Sequence, residues 1–159
     1  MDATINADYL LRMAERIERN GADFYQMAAT YVQETAASQL LLQLAAMEAR
    51  HEQIFAAMRA RLEDGQRNLE LDPASETAMY LKGLLAGKFF DIRTGPGDYL
   101  RGSDSVRDIL LTAIGLEKET IAFYEGVKRV IRPEDAPAVE AVLREEMRHV
   151  SQLAGALGS

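Results

Sequence analysis

The chain of 159 residues contains no cysteine. This absence excludes disulfide bonds, thiolate-bound metals and four-cysteine iron sites. A chain without cysteine is also compatible with a reducing compartment. Any metal site must therefore be built from oxygen and nitrogen ligands.

Positive charge is scarce, since 18 lysines and arginines stand against 25 aspartates and glutamates, for a net charge of −7. Nucleic-acid binding depends on basic side chains that neutralise phosphates, so we expect no nucleic-acid partner. No uncharged apolar run reaches the ~18 residues that a membrane span requires. Residues 1–6 lack the basic and apolar segments of a secretory signal. We therefore expect a cytoplasmic protein without a membrane span.

Glycine and proline are few, at 11 and 4 residues, whereas apolar residues make up 48% of the chain. This composition is typical of a globular, helical protein. We expect residues 1–159 to form a single domain, because a chain of this length can bury a sizeable core.

Each of the two histidines follows a glutamate by three residues: Glu48 precedes His51, and Glu146 precedes His149. On a helix, residues at this spacing lie on one face, with Cβ atoms about 5–6 Å apart. A carboxylate and an imidazole in this arrangement can bind one metal ion from a single helix.

The rest of the chain repeats the same plan. Glu18 and Glu117 each stand about 30 residues before one Glu-x-x-His motif, and each is followed seven residues later by a tyrosine, Tyr25 or Tyr124. The repeat predicts an internal duplication that forms one closed body with approximate two-fold symmetry.

Apolar residues at 3-4 spacing predict four long helices, at about 6–34, 38–63, 104–131 and 133–157. Within the connection 66–104, Asp72 and Pro73 predict the N-cap and first residue of a shorter helix that ends near Phe89 or Phe90, and 93–98 is predicted to be a loop. Short links make two antiparallel hairpins, and the long connection can cross the whole bundle. We therefore predict an all-α, ferritin-like four-helix bundle with one long crossover.

Six ionisable residues interrupt the apolar seams of the predicted long helices. Burying each charge costs several kcal/mol unless it is neutralised. Two divalent cations balance four carboxylates, and a carboxylate-rich set with imidazole suits iron or manganese. A glutamate from each of two helices plus Glu-x-x-His from the other two is the known pattern of di-iron carboxylate bundles. The six predicted metal ligands are Glu18, Glu48, His51, Glu117, Glu146 and His149.

With this set in duplicate, nearly the whole chain resembles the rubrerythrin-like branch of the ferritin-like superfamily. The two Glu-x₅-Phe-Tyr stretches and a crossover carrying Tyr80 and residues 87–91 favour that branch. Bacterioferritins and some quinone hydroxylases are similar.

The resemblance implies specific roles. Glu48 and Glu146 would bridge two iron ions, for which manganese or zinc could substitute. Glu18 with His51, and Glu117 with His149, would complete the two coordination shells. Tyr25 and Tyr124 would donate hydrogen bonds to ligand carboxylates, although both could instead be ordinary core aromatics. The implied activity is the reaction of a diferrous centre with peroxide or dioxygen.

Two departures from rubrerythrin matter. Without cysteine the chain has no rubredoxin module, so electrons would come from a separate donor protein. Thr120 occupies the position of an extra rubrerythrin glutamate that supports a redox-linked iron shift, and Glu15, Glu119 or Glu145 could supply a carboxylate instead.

Other functions stay open. They are an iron-handling or storage subunit, a quinone-hydroxylase-like enzyme, and a structural bundle with zinc. We expect a homodimer, and we expect Tyr80, Phe89 and Phe90 to pack in the crossover or at an oligomer contact.

Overall fold

The computed structural model describes residues 5–86 and 95–159. Within these ranges the chain forms α-helices and no strand, which confirms the all-α prediction. The helices are α1 (Ala7–Tyr31), α2 (Thr35–Ala60), α3 (Asp64–Arg67), α4 (Glu76–Leu85), α5 (Val106–Val127) and α6 (Ala136–Leu157), with a 3₁₀ turn at Pro96–Asp98. No helix among the described residues is long and apolar enough to cross a membrane.

The first hairpin turns three residues earlier than predicted, with a link of the predicted length. Asn6 is the N-cap of α1, as expected, and its side chain accepts a hydrogen bond from the Tyr9 N–H at 2.8 Å. Helix α1 ends at Tyr31, earlier than the predicted residue 34, and α2 begins at Thr35, earlier than the predicted residue 38. Residues 32–34 alone therefore reverse the chain.

The second hairpin has a longer link than predicted. Helix α5 ends at Val127, where 131 was predicted, because the chain tightens into turns in which the Val130 N–H donates to the Val127 carbonyl at 2.9 Å. Helix α6 begins at Ala136 rather than at 133. Its early proline is Pro137, which suits the first helical turn because it needs no N–H partner there.

The predicted start of the short crossover helix is wrong. Its N-cap is Ser75, whose hydroxyl accepts from the Ala78 N–H at 3.1 Å. Asp72 instead closes a turn, accepting from the Ala74 N–H at 2.9 Å. The predicted end at Phe89 or Phe90, the stretch 87–91 and the first two residues of the predicted loop at 93–98 lie outside the described residues.

Two apolar clusters fill opposite ends of the bundle. One joins the start of α1 and α6 to the end of α2 and α5, and the other joins the remaining four ends. Helix α2 therefore ends at one end of the bundle, and α5 begins at the other.

Helix α4 fixes part of the connection from α2 to α5 against the latter helix. Leu81 is fully buried, and the Tyr80 hydroxyl donates to the Ala122 carbonyl at 2.7 Å. A Cβ at Gly126 would lie 2.6 Å from Leu81 Cδ2. Glycine at this position is what allows the two helices to approach.

Candidate metal centre

All six predicted ligands meet between the two apolar clusters. Helices α1 and α5 contribute one glutamate each, and α2 and α6 contribute a Glu-x-x-His pair each. All six side chains are at least 95% buried, and three of them are fully inaccessible. The helical spacing places each of them on the seam that also supplies its helix's core leucines, valines and aromatics.

The six residues form two overlapping groups. In each group, one candidate ligand atom from every member lies within 4.8 Å of the others. Glu48 and Glu146 belong to both groups. One group adds Glu18 and His51, and the other adds Glu117 and His149.

Glu146 connects the two groups directly. Its Oε1 lies 2.8 Å from His51 Nδ1, and its Oε2 lies 2.9 Å from His149 Nδ1. Glu48 Oε1 also approaches His149 Nδ1, at 3.2 Å. The two imidazole rings lie 5.8 Å apart and within 20° of parallel. A single carboxylate thus has one oxygen directed to each half.

The outer members close the two groups. Glu18 Oε2 lies 3.4 Å from His51 Nδ1, and Glu117 Oε1 lies 3.4 Å from His149 Nδ1. Both histidines therefore present Nδ1, rather than Nε2, to the four glutamates of the cluster.

Unpaired polar atoms in the cluster test whether metal ions fit it. Buried polar atoms normally have hydrogen-bond partners, and leaving one unpaired costs about 1–3 kcal/mol. Six converging atoms have no such partner among residues 5–86 and 95–159: Glu18 Oε2, Glu48 Oε1, both Glu146 oxygens and Nδ1 of both histidines. Two divalent cations would ligate these atoms and balance the four carboxylates. The donor set therefore fits a pair of divalent metal ions.

The carboxylates repel one another in a buried site. Burial raises the pKa of Glu48 well above its usual range, and the charges of Glu18, Glu146 and Glu117 raise it further. Burial likewise raises the pKa of Glu117 to about 7, although its contact with His149 acts in the opposite direction. Burial and mutual repulsion thus both favour the protonated form of these carboxylates when no cation is bound.

The histidines respond to the same crowding. Burial lowers the pKa of His51, but its contacts with Glu146 and Glu18 outweigh this and raise the pKa to about 11. For His149, contacts with Glu117 and Glu146 outweigh burial and raise the pKa to about 9. Cation binding would replace these protons, because metal ligands must be deprotonated.

The two tyrosines bond across the hairpins. Tyr25 on α1 donates to Glu117 Oε1 on α5 at 2.5 Å, and Tyr124 on α5 donates to Glu18 on α1. Burial, followed by the neighbouring carboxylate charges, raises the pKa of both phenols well above the ordinary value. Both are therefore neutral donors that hold an outer carboxylate in place.

The residues considered as sources of an additional carboxylate differ in their contacts. Glu145 Oε2 lies 2.6 Å from His51 Nε2. Glu15 instead pairs with Arg59, and the Thr120 hydroxyl donates to the Leu116 carbonyl at 3.0 Å. Neither candidate ligand group includes Glu15, Glu119 or Glu145.

Sequence reasoning missed the role of Gly21. A Cβ there would lie 2.8 Å from Glu48 Oε2. The absence of a side chain thus leaves room for a central carboxylate. The available signal was a glycine inside an apolar helix seam, three residues after Glu18, where glycine costs helix stability.

A crystal structure from Thermotoga maritima, assigned as a ferritin-like diiron-carboxylate protein, is similar to the whole molecule. The similarity covers 100% of this chain and 99% of that one, with a TM-score of 0.74 and 19% sequence identity. No protein-family model and no curated protein sequence matches the chain. The likeness confirms the ferritin-like fold, and the buried Glu/His cluster on this fold fits a di-iron protein.

Proposed function

We propose that the chain is a rubrerythrin-like di-iron oxidoreductase that reacts with hydrogen peroxide or dioxygen. The observation that carries the proposal is the convergence of six buried ligand residues, five of which have facing atoms without a hydrogen-bond partner in the described part of the chain. Carboxylate-rich mixed O/N ligation suits iron and tolerates its change of oxidation state.

In this proposal the two groups are two iron sites. Glu48 and Glu146 would be shared by the two ions, since both residues belong to both groups. Glu18 and His51 would hold one ion, and Glu117 and His149 would hold the other. Manganese or zinc could occupy the same ligands, because zinc binds most such sets more tightly than ferrous iron does.

Bound as a ferrous pair, the iron would supply two electrons, enough to reduce one hydrogen peroxide to two water molecules with uptake of two protons. The protein's part is to hold the ligands and exclude bulk water. The tyrosine bonds to Glu117 and Glu18 fix the outer carboxylates, and the Glu145 contact orients His51. Because the chain has no cysteine, we propose that a separate protein returns the electrons.

A second candidate function is Fe(II) oxidation for iron handling. The observation in its favour is Thr120, which occupies the position of rubrerythrin's extra glutamate. Its hydroxyl is bonded to the Leu116 carbonyl of its own helix, so this position offers no carboxylate toward which an iron ion could shift.

Stopped-flow absorbance separates the two functions. Anaerobic, Fe(II)-loaded protein is mixed with peroxide and, separately, with dioxygen. Much faster oxidation by peroxide, with an oxidised protein that an added reductant recycles, supports the peroxidase. Faster oxidation by dioxygen with release or mineralisation of iron supports iron handling. If two irons bind and neither oxidant reacts, the oxidoreductase proposal is wrong.

Sedimentation velocity adds an independent constraint. We propose a homodimer, whereas iron storage requires a hollow shell of many subunits. A large closed assembly would therefore favour storage over the peroxidase.

A further inference from the structure

The internal duplication is broken next to the metal centre. Glu145 directly precedes Glu146, and the residue in the same place before Glu48 is Met47. Both positions lie where α2 and α6 face each other across the cluster. Two histidines with equivalent inner contacts therefore have different outer contacts.

His51 has a carboxylate behind it. Its Nδ1 faces Glu18 and Glu146, while its Nε2 lies 2.6 Å from Glu145 Oε2. A carboxylate only accepts hydrogen bonds, so in a neutral imidazole this contact favours the proton on Nε2. The Nδ1 lone pair can then bind a metal ion held between the ring and the carboxylates of Glu18 and Glu146. Arg50 Nη2, at 3.5 Å, adds a weaker contact to Glu145.

His149 has no such support. The residue is 2% exposed, yet its Nε2 has no hydrogen-bond partner among the described residues. Met47 offers only a thioether, a weak acceptor, and its sulfur already accepts from Arg50 Nη2 at 2.9 Å. His149 and Met47 instead line a half-open cavity of about 370 Å³.

The difference has a direct consequence for metal binding. A carboxylate on the outer nitrogen fixes the tautomer and orientation of a metal-binding histidine and makes it a better donor, and removing such a partner typically weakens metal affinity by about 10–100-fold. One position of the proposed pair has this support, and the other does not.

We propose that the two metal positions are inequivalent, that the Glu18–His51 position fills first and binds more tightly, and that Glu145 is the positioning residue responsible. The inference rests on the proposed dinuclear site. It concerns the order and strength of binding rather than the reaction with an oxidant.

Imidazole NMR gives a site-resolved test, because the chain has only two histidines. Protein labelled with ¹⁵N-histidine is freed of metal and titrated with Zn(II) alone, and the variant His149→Gln assigns the signals. We expect the His51 ring to show metal-bound Nδ1 and protonated Nε2 at the first equivalent. The His149 ring should follow at the second equivalent.

Matched variants at the two related positions identify the cause. Glu145→Met makes the α6 position like the α2 position, and should weaken the first binding step about 10–100-fold and remove the order of filling. Met47→Glu supplies His149 with a carboxylate and should strengthen the second step. Glu145→Gln, which keeps an acceptor oxygen, should retain the order and is the matched control. If Glu145→Met does not fold, Met47→Glu tests the same cause, because a strengthened second step should remove the order of filling.

The outcomes separate the two proposals. If two Zn(II) ions bind but both rings respond together, or if His149 responds first, the inequivalence is wrong and the dinuclear site stands. Ordered filling that persists in folded Glu145→Met overturns the role of Glu145. If neither ring responds to Zn(II), both proposals fail.

Discussion

The two hairpins provide equivalent ligands, although the links between their helices differ in length. In the first hairpin three residues, 32–34, join α1 to α2, whereas eight residues, 128–135, join α5 to α6. Each hairpin nevertheless delivers a glutamate and a Glu-x-x-His pair to one cluster. The ligand positions follow from mid-helix spacing on the apolar seam, so they are insensitive to how the hairpin turns.

Further differences between the hairpins lie in residues next to the ligands. Gly21 and Thr120 occupy related places three residues after the lone glutamates, and Met47 and Glu145 occupy related places before the Glu-x-x-His motifs. The comparison teaches that the ligand set determines which chemistry is possible, while neighbouring side chains determine how alike the two positions are.

Removing Glu146, one of the two carboxylates that belong to both ligand groups, should have the largest effect, because both metal positions lose a ligand. We expect Glu146→Ala to abolish binding of an ion pair and to weaken the remaining affinity roughly 100-fold or more, beyond the loss of an outer partner. Glu117→Ala should lose only the ion on its side. Calorimetric titration with Mn(II) measures both, with Glu119→Ala as a control that binds normally. Two ions retained by Glu146→Ala would contradict the proposed site.

The tyrosines provide a second comparison of the hairpins, because a tyrosine of each hairpin donates a hydrogen bond to a glutamate of the other. Tyr25→Phe and Tyr124→Phe each leave a buried carboxylate without its donor, which should lower the free energy of unfolding of the metal-free protein by about 1–3 kcal/mol. Urea denaturation in the presence of a chelator measures the loss. Unequal losses would show that the two cross-hairpin bonds are not equivalent.

Gly21 and Thr120 provide the next contrast. In Gly21→Ala the new Cβ must displace the Glu48 carboxylate, 2.8 Å away, so metal affinity should fall about tenfold, the lower end of the range for disturbed ligand support. Helix propensity favours alanine by about 1 kcal/mol, so the metal-free protein should not lose stability. Mn(II) titration and chelated urea denaturation measure the two effects. Thr120→Ala should leave affinity nearly unchanged; if both variants bind like the parent chain, the close approach has no role in binding.

The smallest predicted effect belongs to Gly115 on α5 in the second hairpin, and Gly126 on the same helix provides the contrast. Gly115 has open space where a Cβ would stand, so Gly115→Ala should stabilise the protein by up to about 1 kcal/mol. Gly126→Ala forces the new Cβ against buried Leu81 and should destabilise it by about 1–3 kcal/mol through overpacking. Thermal unfolding compares the two, and equal shifts would show that α4 does not pack closely on α5 in solution.

Much of this fold follows from local pattern. The apolar seams predicted four helices because a 3-4 spacing has no other compact solution at that length, and the seam residues of α2, from Leu41 to Met58, are buried as expected. The residues at which helices begin and end were less predictable. The Asp72-Pro73 pair closes a turn rather than capping a helix, because Ser75 competes for the same role with a better-placed hydroxyl.

The ligand residues and their neighbours differ in how predictable they were. Spacing along one helix placed Glu48 beside His51, and duplication identified their partners. The contact between Glu145 and His51 depends on the register of α6 against α2, which comes from packing and leaves no signal in either segment alone. For the same reason, the closeness of Gly21 to Glu48 became visible only with both helices in place.

The tyrosine bonds that cross between hairpins link the metal supply to the integrity of the fold. Each hairpin alone would hold three ligands and a tyrosine whose partner lies on the other hairpin. Under the proposed function a bound ion would select the associated state, and metal at a hundred times its dissociation constant would stabilise that state by about 2.7 kcal/mol. Loss of metal would then lower the stability of the folded protein, and the packing of α1 against α5 would depend on the two tyrosine hydrogen bonds alone.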